Sequence, residues 1–69
     1  MNKNLLRSKM VLFGDTNETL AAALGISPQR LSAKINAKDG AEFTQGEINV
    51  IKNLYRLTLQ ELNDIFFAD

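Results

Sequence analysis

An all-α domain of five short helices is the fold class that this 69-residue sequence predicts. Three observations carry the prediction. Apolar residues recur at the three- and four-residue spacing of a helix face, and no segment needs a strand to account for it. Glycine, serine, threonine and proline punctuate that pattern at the places where helices start and stop. The pairs Ile26/Leu31, Phe43/Ile48 and Leu57/Leu62 each bracket a helix start at the spacing of a hydrophobic staple. Agreement between such local signals is what a well-specified fold shows.

The first helix is expected from about Asn2 to Phe13, with Leu6, Met10 and Phe13 on one face. Gly14 and Asp15 break it. Thr16 then caps a second helix, and Glu18 in its first turn suits the helix dipole. Leu20 and Leu24 lie four apart on one face of that helix, with small Ala21 on the packing side. Gly25 ends it, because a residue without Cβ enters the left-handed conformation cheaply. Ile26 carries the chain across to Ser27, a cap for a third helix. Pro28 takes the first helical position, where a missing N–H costs nothing.

Leu31 and Ile35 are the inward positions of the third helix. Residues 16–36 therefore read as two helices joined by a tight glycine turn, the grammar of a helix-turn-helix. Close crossing of the two would bury Leu24 against Leu31 and explain why Ala21 and Gly25 are small. The same spacing also suits any pair of packed helices in a small bundle.

A polar loop, AKDGAE, follows, with a turn signal at Asp39-Gly40. Thr44 and Glu47 form a capping box that opens the fourth helix. Ile48, Ile51 and either Leu54 or Tyr55 continue its apolar stripe. Gly46 near its start either admits another backbone closely or does nothing. Leu57, Thr58, Glu61 and Leu62 repeat the pattern and open a last helix ending near Phe67.

LAAALGIS followed by PQRLSAKIN resembles the DNA-binding domain of phage Cro and CI repressors and the wider Xre-type regulators. FTQGEI and LTLQEL are similar to the fourth and fifth helices of that family, so the resemblance runs from about Leu5 to Phe67. It implies one lambda-repressor-like domain over residues 1–69, with its helix-turn-helix at about 16–36. Two positions depart from the family pattern. Lys34 stands where an apolar residue is usual, with Ile35 expected to take the core contact. Ala37 replaces the usual glycine after the recognition helix, which leaves the exit angle of that helix open.

Composition bounds the reading. A single small domain buries only about 60% of its extended-chain surface, so stability is expected to be marginal or assisted by association. With 45% hydrophobic residues the chain is not a disordered tail. No apolar run approaches a membrane span and no signal-peptide core is present, so no membrane partner and a cytoplasmic location are expected. Cysteine and histidine are both absent, which removes disulfides, thiolate metal sites and the commonest general base. There is no glycine-rich phosphate loop and no carboxylate cluster on one helix face, and Glu47 and Glu61 are spoken for as caps. Neither an enzyme nor a cofactor or metal is expected.

Net charge is zero but segregated. Residues 1–38 hold Lys3, Arg7, Lys9, Arg30, Lys34 and Lys38 against Asp15 and Glu18, a net of +4. Residues 39–69 hold Lys52 and Arg56 against Asp39, Glu42, Glu47, Glu61, Asp64 and Asp69, a net of −4. The asymmetry would orient the molecule on a polyanion, although the weak total field implies modest non-specific binding. Small proteins also segregate solvated charge without binding anything.

With Leu31 and Ile35 inward, Gln29, Arg30, Ser32, Ala33 and Asn36 lie on or beside the outward surface of the third helix. In a helix-turn-helix the N-terminal part of that helix enters the major groove of DNA. Gln29 is the first candidate to read a base, since its amide pairs bidentately with adenine. Arg30 suits guanine or a phosphate. Pro28 and Ala33 offer apolar contacts, and Ser27 a small polar one. By the resemblance, Asn17 matches a backbone-binding position at the start of the preceding helix. Further phosphate candidates are Ser27, Ser32, Lys34, Asn36, Lys38 and Arg7.

A single small reader covers only a few base pairs of double-stranded operator DNA, so a homodimer across a two-fold axis is the expected binding form. Leu59, Leu62, Ile65, Phe66 and Phe67 cannot all face one small core, so the last helix is the candidate association surface. Phe66 and Phe67 lie about 100° apart, which leaves one exposed unless it folds over the domain's own edge. That apolar helix on a neutral chain also suits a second function: a phage-switch modulator or antirepressor that binds a partner repressor protein.

Overall fold

The computed structural model of the chain describes residues 1–68. Asp69, counted above in the C-terminal charge, lies outside the described residues. Five α-helices follow one another: α1 (Lys3–Leu12), α2 (Asn17–Leu24), α3 (Pro28–Ile35), α4 (Gln45–Leu54) and α5 (Leu59–Phe66). A three-residue 3₁₀ turn, Lys38–Gly40, lies between α3 and α4, and no strand occurs among the described residues. The all-α expectation and its five elements therefore stand, with ends within a residue or two of the expected ones.

Each helix begins at a side chain that accepts from a free backbone N–H. Asn2 accepts from Leu5, Thr16 from Thr19, Ser27 from Arg30, Thr44 from Glu47 and Thr58 from Glu61. Glu47 and Glu61 return the bond to the Thr44 and Thr58 N–H groups, as their capping boxes require. Thr19 does the same for Thr16 through its hydroxyl. Gly25 closes α2 with φ +72°, and the Ile26 N–H donates to the Ala21 carbonyl at 3.0 Å. A Cβ on Gly25 would meet nothing within 4 Å, so its small size serves the left-handed turn and not a close helix crossing. Gly46 likewise approaches no other backbone; a Cβ there would sit 3.9 Å from the Thr44 hydroxyl.

The core takes one fully buried aliphatic from every helix: Leu6, Leu20, Leu31, Ile51 and Ile65. Burial of each contributes roughly 1.5–3 kcal/mol. Met10, Ala21, Ile35, Tyr55 and Leu57 extend it. Tyr55, the residue that caps the end of α4, therefore continues its inward stripe, and Leu54 is exposed. Ile65 cannot belong to an association surface, because it is closed inside the core, and Leu62 packs partly against that core. The Asn2 N–H donates to the Ile65 carbonyl at 2.7 Å and pins the start of α1 to the end of α5. Phe66 is half-buried, meeting Phe43 edge-on at 5.6 Å, while Phe67 and Leu59 remain exposed.

Candidate nucleic-acid interface

α2 packs most extensively against α3, and Leu31, Lys34 and Ile35 turn the buried side of α3 inward. That phase leaves Pro28, Gln29 and Arg30 exposed on its first turn, with Ser32 and Ala33 half-buried beside them. The Ser27 Oγ accepts from the Arg30 N–H at 3.2 Å, which fixes the entry of the chain into this turn. Neither the Gln29 nor the Arg30 side chain has an intramolecular hydrogen bond among the described residues. Both end groups are thus free to meet a ligand without first breaking a bond.

Lys34 is not on this surface. Its ammonium lies 2.6 Å from Glu47 Oε1 on α4 and the side chain is 7% exposed, so Lys34 is withdrawn from the phosphate candidates. A lysine fits at an apolar position here because Glu47 supplies the counter-charge, a partner thirteen residues away in sequence. Burial alone would raise the Glu47 carboxyl, but bonds from the Lys34 ammonium and the Thr44 N–H outweigh it and hold the pKa below the ordinary value.

The flanking groups divide. Asn36 is exposed, yet its amide is occupied: Nδ2 donates to the Ser32 carbonyl at 3.0 Å, and Oδ1 accepts from Lys3 Nζ at 3.3 Å. Lys3, which sequence reasoning did not nominate, is brought from the first turn of α1 to the end of α3. No local signal announces a contact across 33 positions. Of the six cations in the positive half, Lys9 is paired with Glu61 and Lys34 with Glu47. Lys3, Arg7, Arg30 and Lys38 are exposed and have no carboxylate partner among the described residues.

Asn17 is half-buried at the first position of α2. Beside it the Asp15 carboxylate accepts from the Thr19 hydroxyl at 2.7 Å and the Tyr55 hydroxyl at 2.6 Å. Burial, then this bond to Asp15, pushes the Tyr55 hydroxyl pKa well above its ordinary value. A phosphate at Asn17 would meet the fixed negative charge of Asp15, so this helix N-terminus is a poorer anion site than helix geometry alone suggests.

No protein-family model matches this chain, and neither a curated protein nor a solved structure is significantly similar to it.

Proposed function

We propose that the chain is a sequence-specific DNA-binding transcriptional regulator of the phage Cro or repressor type. The N-terminal turn of α3 enters the major groove of an operator. Gln29 and Arg30 read base edges there, with Pro28 and Ala33 making apolar contacts. The observation that carries this reading is the free state of Gln29 and Arg30 on a helix whose opposite side is locked into the core. Arg7, Lys38 and Lys3 supply cations for phosphates on either side. With zero net charge the non-specific term is small, so base contacts and dimerisation carry a large share of affinity.

Exposed Leu59 on α5 and exposed Phe67 just beyond its end favour a second reading, in which the same scaffold binds a partner repressor protein. Selection of bound sequences from random duplex DNA by the purified chain, in roughly 0.1 M monovalent salt, separates the two. Recovery of an inverted repeat supports the regulator acting as a homodimer. Absence of any enriched sequence overturns it in favour of the modulator.

A further inference from the structure

Val11, Leu12 and Leu59 are the most exposed large apolar side chains among the described residues, at 78%, 73% and 74%. They belong to two helices that the fold brings together at one end of the molecule. The Lys9–Glu61 ion pair ties the last turn of α1 to the first turn of α5. The rings of Phe13 and Tyr55, with centroids 5.1 Å apart, bring the end of α4 to the same place. Exposed Phe13 and Leu54 therefore join the group, which takes no residue from α3. Phe67, expected from the sequence to act with Leu59, lies instead at the far end of α5, in the lining of an open cleft beside Lys34.

The five side chains expose on the order of 500 Å² of apolar surface, at the upper end of what a monomer leaves in one region. A small specific interface buries roughly 600–800 Å² per partner, so little more than a rim is needed to complete one. The charges around the group suit a second copy of the chain. Arg56 follows α4, and Glu18 lies in the first turn of α2, which starts shortly after Phe13. Both are exposed, and neither has an oppositely charged partner among the described residues. A surface with one free charge of each sign is complementary to itself, because a two-fold axis can set Arg56 of each copy against Glu18 of the other. A partner of a single sign would leave one of these charges facing its like.

We propose that two copies of the chain associate through this end, with Val11, Leu12 and Leu59 central to the contact and Arg56 and Glu18 at its rim. The inference rests on the homodimer of the proposed function and is tested without DNA. A chain that self-associates here but selects no operator is thereby told apart from one that selects an operator but does not self-associate here.

Sedimentation equilibrium of the full chain over a range of concentrations should show a monomer–dimer equilibrium with Kd on the order of tens of micromolar. Leu12→Ser and Leu59→Ser should each raise that Kd at least about tenfold, while Phe67→Ser leaves it unchanged. All three positions are exposed, so urea midpoints near that of the unaltered chain confirm that each variant still folds. Arg56→Glu should raise Kd about fivefold, and adding Glu18→Arg to it should restore the original value. A chain that stays monomeric at about a millimolar overturns the proposal. So does a dimer that Leu12→Ser and Leu59→Ser leave intact, or one that Phe67→Ser disrupts. A double charge reversal no tighter than Arg56→Glu alone overturns it as well.

Discussion

Lys34 on α3 and Glu47 on α4 form an ion pair at 2.6 Å with side chains 7% and 11% exposed. The pair joins the two elements at the edge of the core, and Glu47 at the same time closes the capping box with Thr44. Glu47→Gln keeps the capping geometry but strands the ammonium. It should cost about 2 kcal/mol in urea denaturation, below the roughly 3–5 kcal/mol of a fully enclosed pair because the cleft beside Lys34 admits water. Lys34→Met combined with Glu47→Gln should recover most of that loss, because no unpaired charge then remains. A double variant no more stable than Glu47→Gln alone would show that the pair is not what holds these positions together.

Acid stability follows from the same carboxylates. Glu47 lies below its ordinary pKa, and the hydrogen bond from Lys9, with that from the Thr58 N–H, brings Glu61 down to about 2. A carboxyl depressed in the folded state stabilises it above the unfolded pKa of about 4.3, and that stability is lost as pH falls through the folded value. Stability should therefore be flat from pH 7 to about pH 5 and fall from there towards pH 2. Histidine is absent, so no titration of that side chain intervenes near neutrality. Glu61→Gln should flatten part of the acid limb, measured as the urea midpoint against pH. An unchanged acid limb in that variant would contradict the Lys9 pairing.

Backbone strain offers a test of opposite sign. Ala37 is left-handed at φ 51°, ψ 38° just after α3, and Arg56 at φ 50° after α4. The Leu57 N–H closes on the Lys52 carbonyl as that of Ile26 does on Ala21, so Arg56 occupies the place that Gly25 holds after α2. A non-glycine residue there costs about 1–2 kcal/mol. Ala37→Gly and Arg56→Gly should each stabilise by about 0.5–1 kcal/mol after the greater freedom of glycine in the unfolded chain is subtracted. That is a rise in Tm of a few degrees for a domain of about this size. Gly25→Ala should destabilise by about 1 kcal/mol although the added Cβ meets open space. Gly46, which has no positive φ, should tolerate alanine with a gain of up to about 1 kcal/mol.

Features set within one helical turn were legible in the sequence. Ser27, Thr44 and Thr58 cap the helices expected of them, because a cap depends on residues two or three positions away. Features set by distant partners were not. Nothing near Lys34 says that a carboxylate will arrive from α4, and nothing near Lys3 points to Asn36. Periodicity could not choose which apolar residues of α5 face inward. The rotation of that helix is set by packing on α1, where Asn2 meets the Ile65 carbonyl. At the candidate interface, the outward position of Gln29 and Arg30 followed from the inward phase of Leu31 and Ile35, which is local. Removal of Lys34 from that surface did not.

The same distinction gives the sharpest test of the proposed DNA surface. Gln29→Ala should relax preference at one base-pair position, a loss of discrimination of about 1–3 kcal/mol if the amide pairs bidentately. Lys38→Ala should weaken binding to all sequences alike and reduce the salt slope by about one. Lys34→Met removes an equal charge from the same helix region, yet should leave the slope unchanged, because its ammonium is committed to Glu47 and does not release a counterion from DNA. Net charge alone cannot separate Lys34→Met from Lys38→Ala, so different slopes would place the phosphate path on the Lys38 side. If Gln29→Ala and Lys38→Ala both bind a selected operator as the unaltered chain does, α3 is not the reading element.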